Sequence, residues 1–180
     1  MRARRTAVVI GAVVTVAALA GCSTGPGVVA QVEGTTITEG DLDRVIDELG
    51  PMLANPSRDA VLTALVQAEA GLALAEPNGI EVPDAEAAEE LLTSTANGLE
   101  VPVSDWGEGS LAIARLQLIG RELANTVGVE QATTLFQEAF AAADVTVSPR
   151  YGEYDPTAGA VVALHPAWIV DPAAAEPTAE

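Results

Sequence analysis

Val28-Val29-Ala30-Gln31-Val32-Glu33-Gly34-Thr35-Thr36-Ile37-Thr38-Glu39-Gly40-Asp41-Leu42 carries three structural signals in a row. Val28 to Val32 is a short β-rich run. Glu33-Gly34-Thr35-Thr36 reads as a tight turn, and Ile37 leads out of it. Thr38 is then placed to cap a helix, with Asp41 three residues on as its capping-box partner. Leu42, Val45, Ile46 and Leu49 follow at i, i+3, i+4 and i+7, one apolar face of that helix. Gly50-Pro51 ends it.

Helical signals dominate from there. Asn55-Pro56 predicts the next start, with Asn55 as cap and Pro56 in the first turn. Val61, Leu62, Leu65, Val66 and Leu72 keep helical spacing as far as Pro77-Asn78-Gly79. That makes a helix of ~30 Å, the longest expected element. Ile80 to Asp84 is an extended lead-in to an Ala/Glu helix reaching about Thr95. Its apolar content is thin, so a peripheral position is expected. Asn97 to Gly109 reads as loop, with Trp106 inside it. Ser110 opens a helix bearing Leu111, Ile113, Leu116, Leu118, Ile119 and Leu123, a face broad enough to be buried on more than one side. Gly128 breaks it. A last helix from Val129 to about Ala143 is expected to bury Leu135, Phe136 and Phe140. Asp144 to Ser148 reads as a strand stopped by Pro149. The expected fold is mainly α: about five helices, with a two-strand clasp made by the first and last strands. Two strands alone are unstable, so the clasp must pack on the helices.

The chain start is an address. Arg2, Arg4 and Arg5 precede an apolar run from Ala7 to Ala20 that is short for a bilayer span. It ends in Leu19-Ala20-Gly21-Cys22, which resembles the lipobox of bacterial lipoproteins. That resemblance implies cleavage between Gly21 and Cys22 and a diacylglyceryl group on the Cys22 thiol. The protein would then sit on the extracytoplasmic face of the cell membrane, held stably by several acyl chains. The plainer alternatives are an ordinary signal peptide with an incidental cysteine, or an uncleaved anchor. Charge, length and small residues all favour the lipobox. Arg4-Arg5 also raises twin-arginine export, but the residues after Thr6 do not complete that motif. The expected organisation is a signal peptide at 1–21, a tether at 22–27, a helical domain at 28–155, and a Pro/Ala-rich acidic, partly disordered tail at 156–180.

Composition excludes several chemistries. The 180 residues carry a formal charge of −18. From Cys22 on, 26 acids face five arginines, a formal charge of −21. So acidic a surface opposes nucleic-acid binding and docking on anionic lipid. The sequence has no lysine, which removes a Walker A loop, a pyridoxal Schiff base and a Ser-Lys dyad. One histidine, His165, rules out zinc sites needing two. The lone Cys22 leaves neither a disulfide framework nor a thiol nucleophile. A triad on His165 would need a serine in a strained elbow, and Gly107-Glu108-Gly109-Ser110 is not one. No catalytic residue, metal site or cofactor is therefore expected. Asp41, Asp43, Asp47 and Glu48, like Glu86, Glu89 and Glu90, read as solvated helix faces.

Together, the opening stretch, Ile80-Glu81-Val82-Pro83-Asp84-Ala85-Glu86 and Val145-Thr146-Val147-Ser148-Pro149-Arg150-Tyr151-Gly152 resemble SurA-like and PrsA-like extracytoplasmic chaperones. The three motifs come in family order and span most of residues 28–155. Many family members insert a parvulin isomerase domain after the third helix. Here 97–109 leaves no room for one. The resemblance thus implies an ATP-independent chaperone that binds unfolded or extended secreted polypeptides, without isomerase activity. Its alternative is a scaffold lipoprotein that binds one folded partner. Trp106, Leu116, Phe136 and Phe140 are candidate peptide-binding residues, although each also reads as core or, for Trp106, as a plug. Thr38, Asp41, Arg150 and Tyr151 match the structural motif.

Overall fold

The computed structural model describes residues 27–54, 56–101 and 105–164. Gly21, Cys22, Asn55 and His165 therefore lie outside the described residues, as do the tether to residue 26 and the tail from 165.

The fold is mainly α, with a small antiparallel sheet at one end. β1 (Val28–Val32) turns into β2 (Thr35–Thr38) and runs straight into α1 (Glu39–Leu49). The connecting turn is shorter than the sequence suggests. It uses Glu33 and Gly34 alone, at φ 51° and 85°. Two consecutive positive φ values are what a type I′ hairpin needs. Thr35 and Thr36 are thereby released into a strand that the sequence reading counted as turn. Thr38 and Asp41 form a full capping box: Thr38 Oγ1 accepts the Asp41 N–H, and Asp41 accepts the Thr38 N–H. Leu42, Val45 and Leu49 are buried below it.

β3 (Val145–Val147) returns after the last helix and pairs antiparallel with β1, giving the order β2-β1-β3. The clasp between the two ends of the domain thus exists, as a three-stranded sheet. The β1–β2 turn is tied to it, since the Glu33 N–H donates to the Asp144 carbonyl and the Glu33 carboxylate accepts the Asp144 N–H.

Between these strands lie α2 (Arg58–Leu72), a 3-10 turn (Glu76–Asn78), α3 (Ala85–Gly98), α4 (Glu108–Val127) and α5 (Val129–Ala142). α2 is shorter than expected. It opens at Arg58, with Ser57 in the cap position, and stops at Leu72. The chain leaves α2 through residues 73–75 into the Glu76–Asn78 turn, where Pro77 has no N–H with which to continue an α-helix. The longest helix is α4, with 20 residues. It packs on all four other helices. Close approach is possible because small residues face its neighbours. A Cβ on Gly109 would meet Val45 and Leu65, and one on Gly71 of α2 would run into Leu116.

α3 packs mainly on α4, where Ala88, Leu92 and Ala96, at i, i+4 and i+8, are buried and the alanines supply close contact. α5 is the more exposed one. Only Ala132 is fully buried, while Leu135, Phe136 and Phe140 are half-covered.

The domain does not end at 155. β4 (Glu153–Asp155) and β5 (Ala160–Val162) pair as a second antiparallel hairpin, so a boundary at 155 cuts between its strands. Val161 is buried in the main core. Gln67 of α2 donates to the Gly159 carbonyl (2.8 Å), and the Val161 N–H donates to Thr63 Oγ1 (3.0 Å). The Tyr154 hydroxyl donates to the Phe140 carbonyl (2.8 Å). These partners lie 14 to 98 residues apart in the chain, which is why no local pattern announced them.

Candidate functional site

The four apolar candidates do not form one surface. Leu116 and Phe136 converge on Gly71, and Phe136 and Phe140 stack with ring centroids 5.8 Å apart. The β4–β5 hairpin covers one side of that group, with Gly159 against the Phe140 ring, and all three side chains stay partly exposed. Trp106 is elsewhere. It lies half-buried between α3 and α4 and donates its indole N–H to Thr93 Oγ1 (3.1 Å). These contacts make it a plug over the core. Tyr151 and Arg150 both reach Glu39 at the start of α1, the first by a 2.5 Å hydrogen bond and the second by a 3.7 Å ion pair. They fasten the end of β3 to the first helix.

The open apolar surface lies on the other flank of α2. A groove of about 290 Å³ runs between α1, α2 and α4. Val45, Leu49 and Leu53 form one wall, Pro56, Ala60, Val61 and Ala64 the other, and Ile113 the floor. No lining residue is charged. Leu53 stands at the rim with 55% of its surface exposed. The volume is at the small end of ligand clefts, which span ~300–1,000 Å³. It accommodates a few aliphatic side chains of a peptide. Sequence reading missed this site because Ala60 and Ala64 look like helix filler. Leu53 follows the Gly50-Pro51 stop and belongs to no periodic face.

Glu48 joins two of the helices that line the groove. This side chain does not lie on a solvated face: only 10% of it is exposed. Both carboxylate oxygens accept the Gly107 N–H at 2.9 Å, and Oε2 also accepts the Ser110 hydroxyl at 2.5 Å. Arg44 pairs with the same carboxylate at 2.6 Å. Gly107 is the N-cap of α4 and has no side chain to offer. A carboxylate from α1 therefore caps α4, where the helix dipole favours negative charge. α1 and α4 are held in register by that contact.

Glu69 is the other polar feature near the core. Its half-buried carboxyl is pushed above the ordinary value of 4.5, first by loss of hydration, with a smaller upward push from Glu108. A hydrogen bond with Thr35 and the charge of Arg115 act the other way.

A larger cleft of about 850 Å³ separates the 78–83 segment from the C-terminal half of α4. Glu81, Arg121, Glu122 and Asn125 stand in its walls beside Ile80 and Leu118, so it offers no continuous apolar surface. Among the described residues, no group of three His, Cys, Asp or Glu is placed to hold a metal ion, and no helix is long and apolar enough to cross a membrane. No family model, curated protein or solved structure matches the chain.

Proposed function

We propose that this chain is a lipid-anchored extracytoplasmic protein with a SurA-like helical domain, which binds apolar segments of secreted polypeptides without ATP or a covalent step. The observation that carries the reading is the uncharged groove between α1, α2 and α4, open at Leu53. Grooves of this kind take side chains of an amphipathic segment at helical spacing. Burial of apolar surface supplies the affinity, at about 25 cal/mol per Å² before ordering costs. Cys22 is the anchor in this reading, and the acyl chains are the only lipid contact it requires.

The second reading, a scaffold lipoprotein with one folded partner, draws support from the closed core. Beyond the groove, the exposed large apolar residues (Val82, Leu99, Val127, Val129 and Leu164) are spread over different loops and helix ends. A general holdase is better served by one contiguous patch of several hundred Å².

The test is titration of the soluble chain from Ser23 onward into several unfolded secreted proteins, followed by light scattering and by direct binding. Suppressed aggregation near equimolar ratio on unrelated clients supports the chaperone reading. Absence of binding to any of them overturns it in favour of the scaffold. The anchor is tested separately by mass spectrometry: Cys22→Ala is expected to accumulate as unlipidated, uncleaved precursor, and mature-length protein from that variant would contradict the lipobox.

A further inference from the structure

Building on the polypeptide-binding reading, we propose that the α1–α2–α4 groove selects cationic segments, meaning aliphatic side chains flanked by lysine or arginine. The groove supplies the apolar half of the match: Leu49, Leu53, Ala64 and Ile113 offer no hydrogen bond and no charge to a ligand. The rest of the domain supplies the electrostatic half. Twenty-six acids stand against five arginines after Cys22. Four of those arginines are already tied to the protein's own carboxylates: Arg44 to Glu48, Arg58 to Asp43, Arg115 to Glu108 and Arg150 to Glu39. The field that reaches an approaching chain is therefore negative, and no lining residue offsets it. A net charge of that size raises the local concentration of oppositely charged ligands around the whole domain, the uncharged groove included. An acidic segment meets the same field as repulsion, so the selection has both an attractive and a repulsive arm. The apolar contact fixes where the segment binds, and the charge fixes which segments arrive.

The experiment uses the lipidated chain in neutral phosphocholine nanodiscs, with empty nanodiscs as blank. Two short synthetic peptides share the same leucine pair and differ only in flanking residues, all lysine or all glutamate. Calorimetry is expected to give the lysine twin about tenfold tighter binding at low salt. The gap should close as salt rises to about 0.5 M, where the screening length falls to a few ångströms. Ala60→Lys, at an exposed wall position, should weaken the lysine twin and favour the glutamate twin. Leu53→Gln should weaken both. Equal, salt-independent binding of the two twins overturns the charge selection and leaves polypeptide binding standing. Lysine-twin binding indifferent to both Ala60→Lys and Leu53→Gln places the cation elsewhere and overturns the groove assignment. Failure of both twins and of every unfolded client overturns the polypeptide-binding reading itself, and the selection with it.

Discussion

The two flanks of α2 are finished differently. Toward α5 the helix is sealed by the β4–β5 hairpin, which inserts Val161 and bonds to Thr63 and Gln67. Toward α1 it is left open, with Ala60, Val61 and Ala64 facing a groove. α2 is apolar on nearly every side, and such a helix needs cover all round. The described residues provide that cover on one flank and not on the other. The difference separates what the fold requires from what is free to meet a ligand. It also moves the candidate site from Phe136 and Phe140, on the hairpin flank, to Leu49, Leu53 and Ile113.

The largest effect is expected on the hairpin side. Val161→Asp puts an unpaired carboxylate where only 6% of the residue is exposed. A loss of about 3 kcal/mol is expected in urea unfolding, with β4 and β5 losing amide protection first. If the hairpin were only an ornament, the change would cost almost nothing.

Glu48→Gln tests the joint between α1 and α4. The amide keeps an oxygen for one donor but loses the charge that meets Arg44, Ser110 and the start of α4. About 1–3 kcal/mol of stability should go, since hydrogen bonds to a charged group lie in that range. Chemical denaturation measures it, and α4 should fray at Glu108.

Glu69→Gln sharpens the pH behaviour. A carboxyl whose folded pKa is raised binds more protons folded than unfolded, so ionising it costs stability as pH rises above the ordinary value of 4.5. The wild-type chain should lose some thermal midpoint across that window, and Glu69→Gln should flatten the profile. An unchanged slope would mean that the Glu69 site remains as wet as bulk solvent.

The smallest structural effect belongs to the open side. Leu53→Gln should alter stability by less than about 0.5 kcal/mol, because the side chain is half in water already. It should still reduce client affinity. A substitution that spares the fold and weakens binding is what distinguishes a groove from a core.

The same two flanks show what is legible in the sequence. The Thr38–Asp41 box, the Leu42–Leu49 face and the β1–β3 clasp were readable because each rests on spacing within a few residues or on strong punctuation at the chain ends. The β4–β5 hairpin was not readable, since Asp155 to Gly159 carries turn residues but its strands are only three residues long. Their stability comes from Thr63, Gln67 and Phe140, far away in the chain. Glu48 misled for the same reason. Among acids at helical spacing it looks solvated, and only the docking of Gly107 and Ser110 reveals it as a cap. The groove was hidden behind alanines, whose smallness matters only once a neighbour is placed beside them.

Methyl NMR on the chain from Ser23 onward, titrated with an unfolded secreted protein, reports which flank of α2 meets a polypeptide. Shifts and line broadening are expected at Val45, Leu49, Leu53, Val61 and Ile113, with Leu135, Val161 and Val162 unmoved. Perturbation confined to the hairpin side, with the groove methyls silent, would contradict the groove assignment.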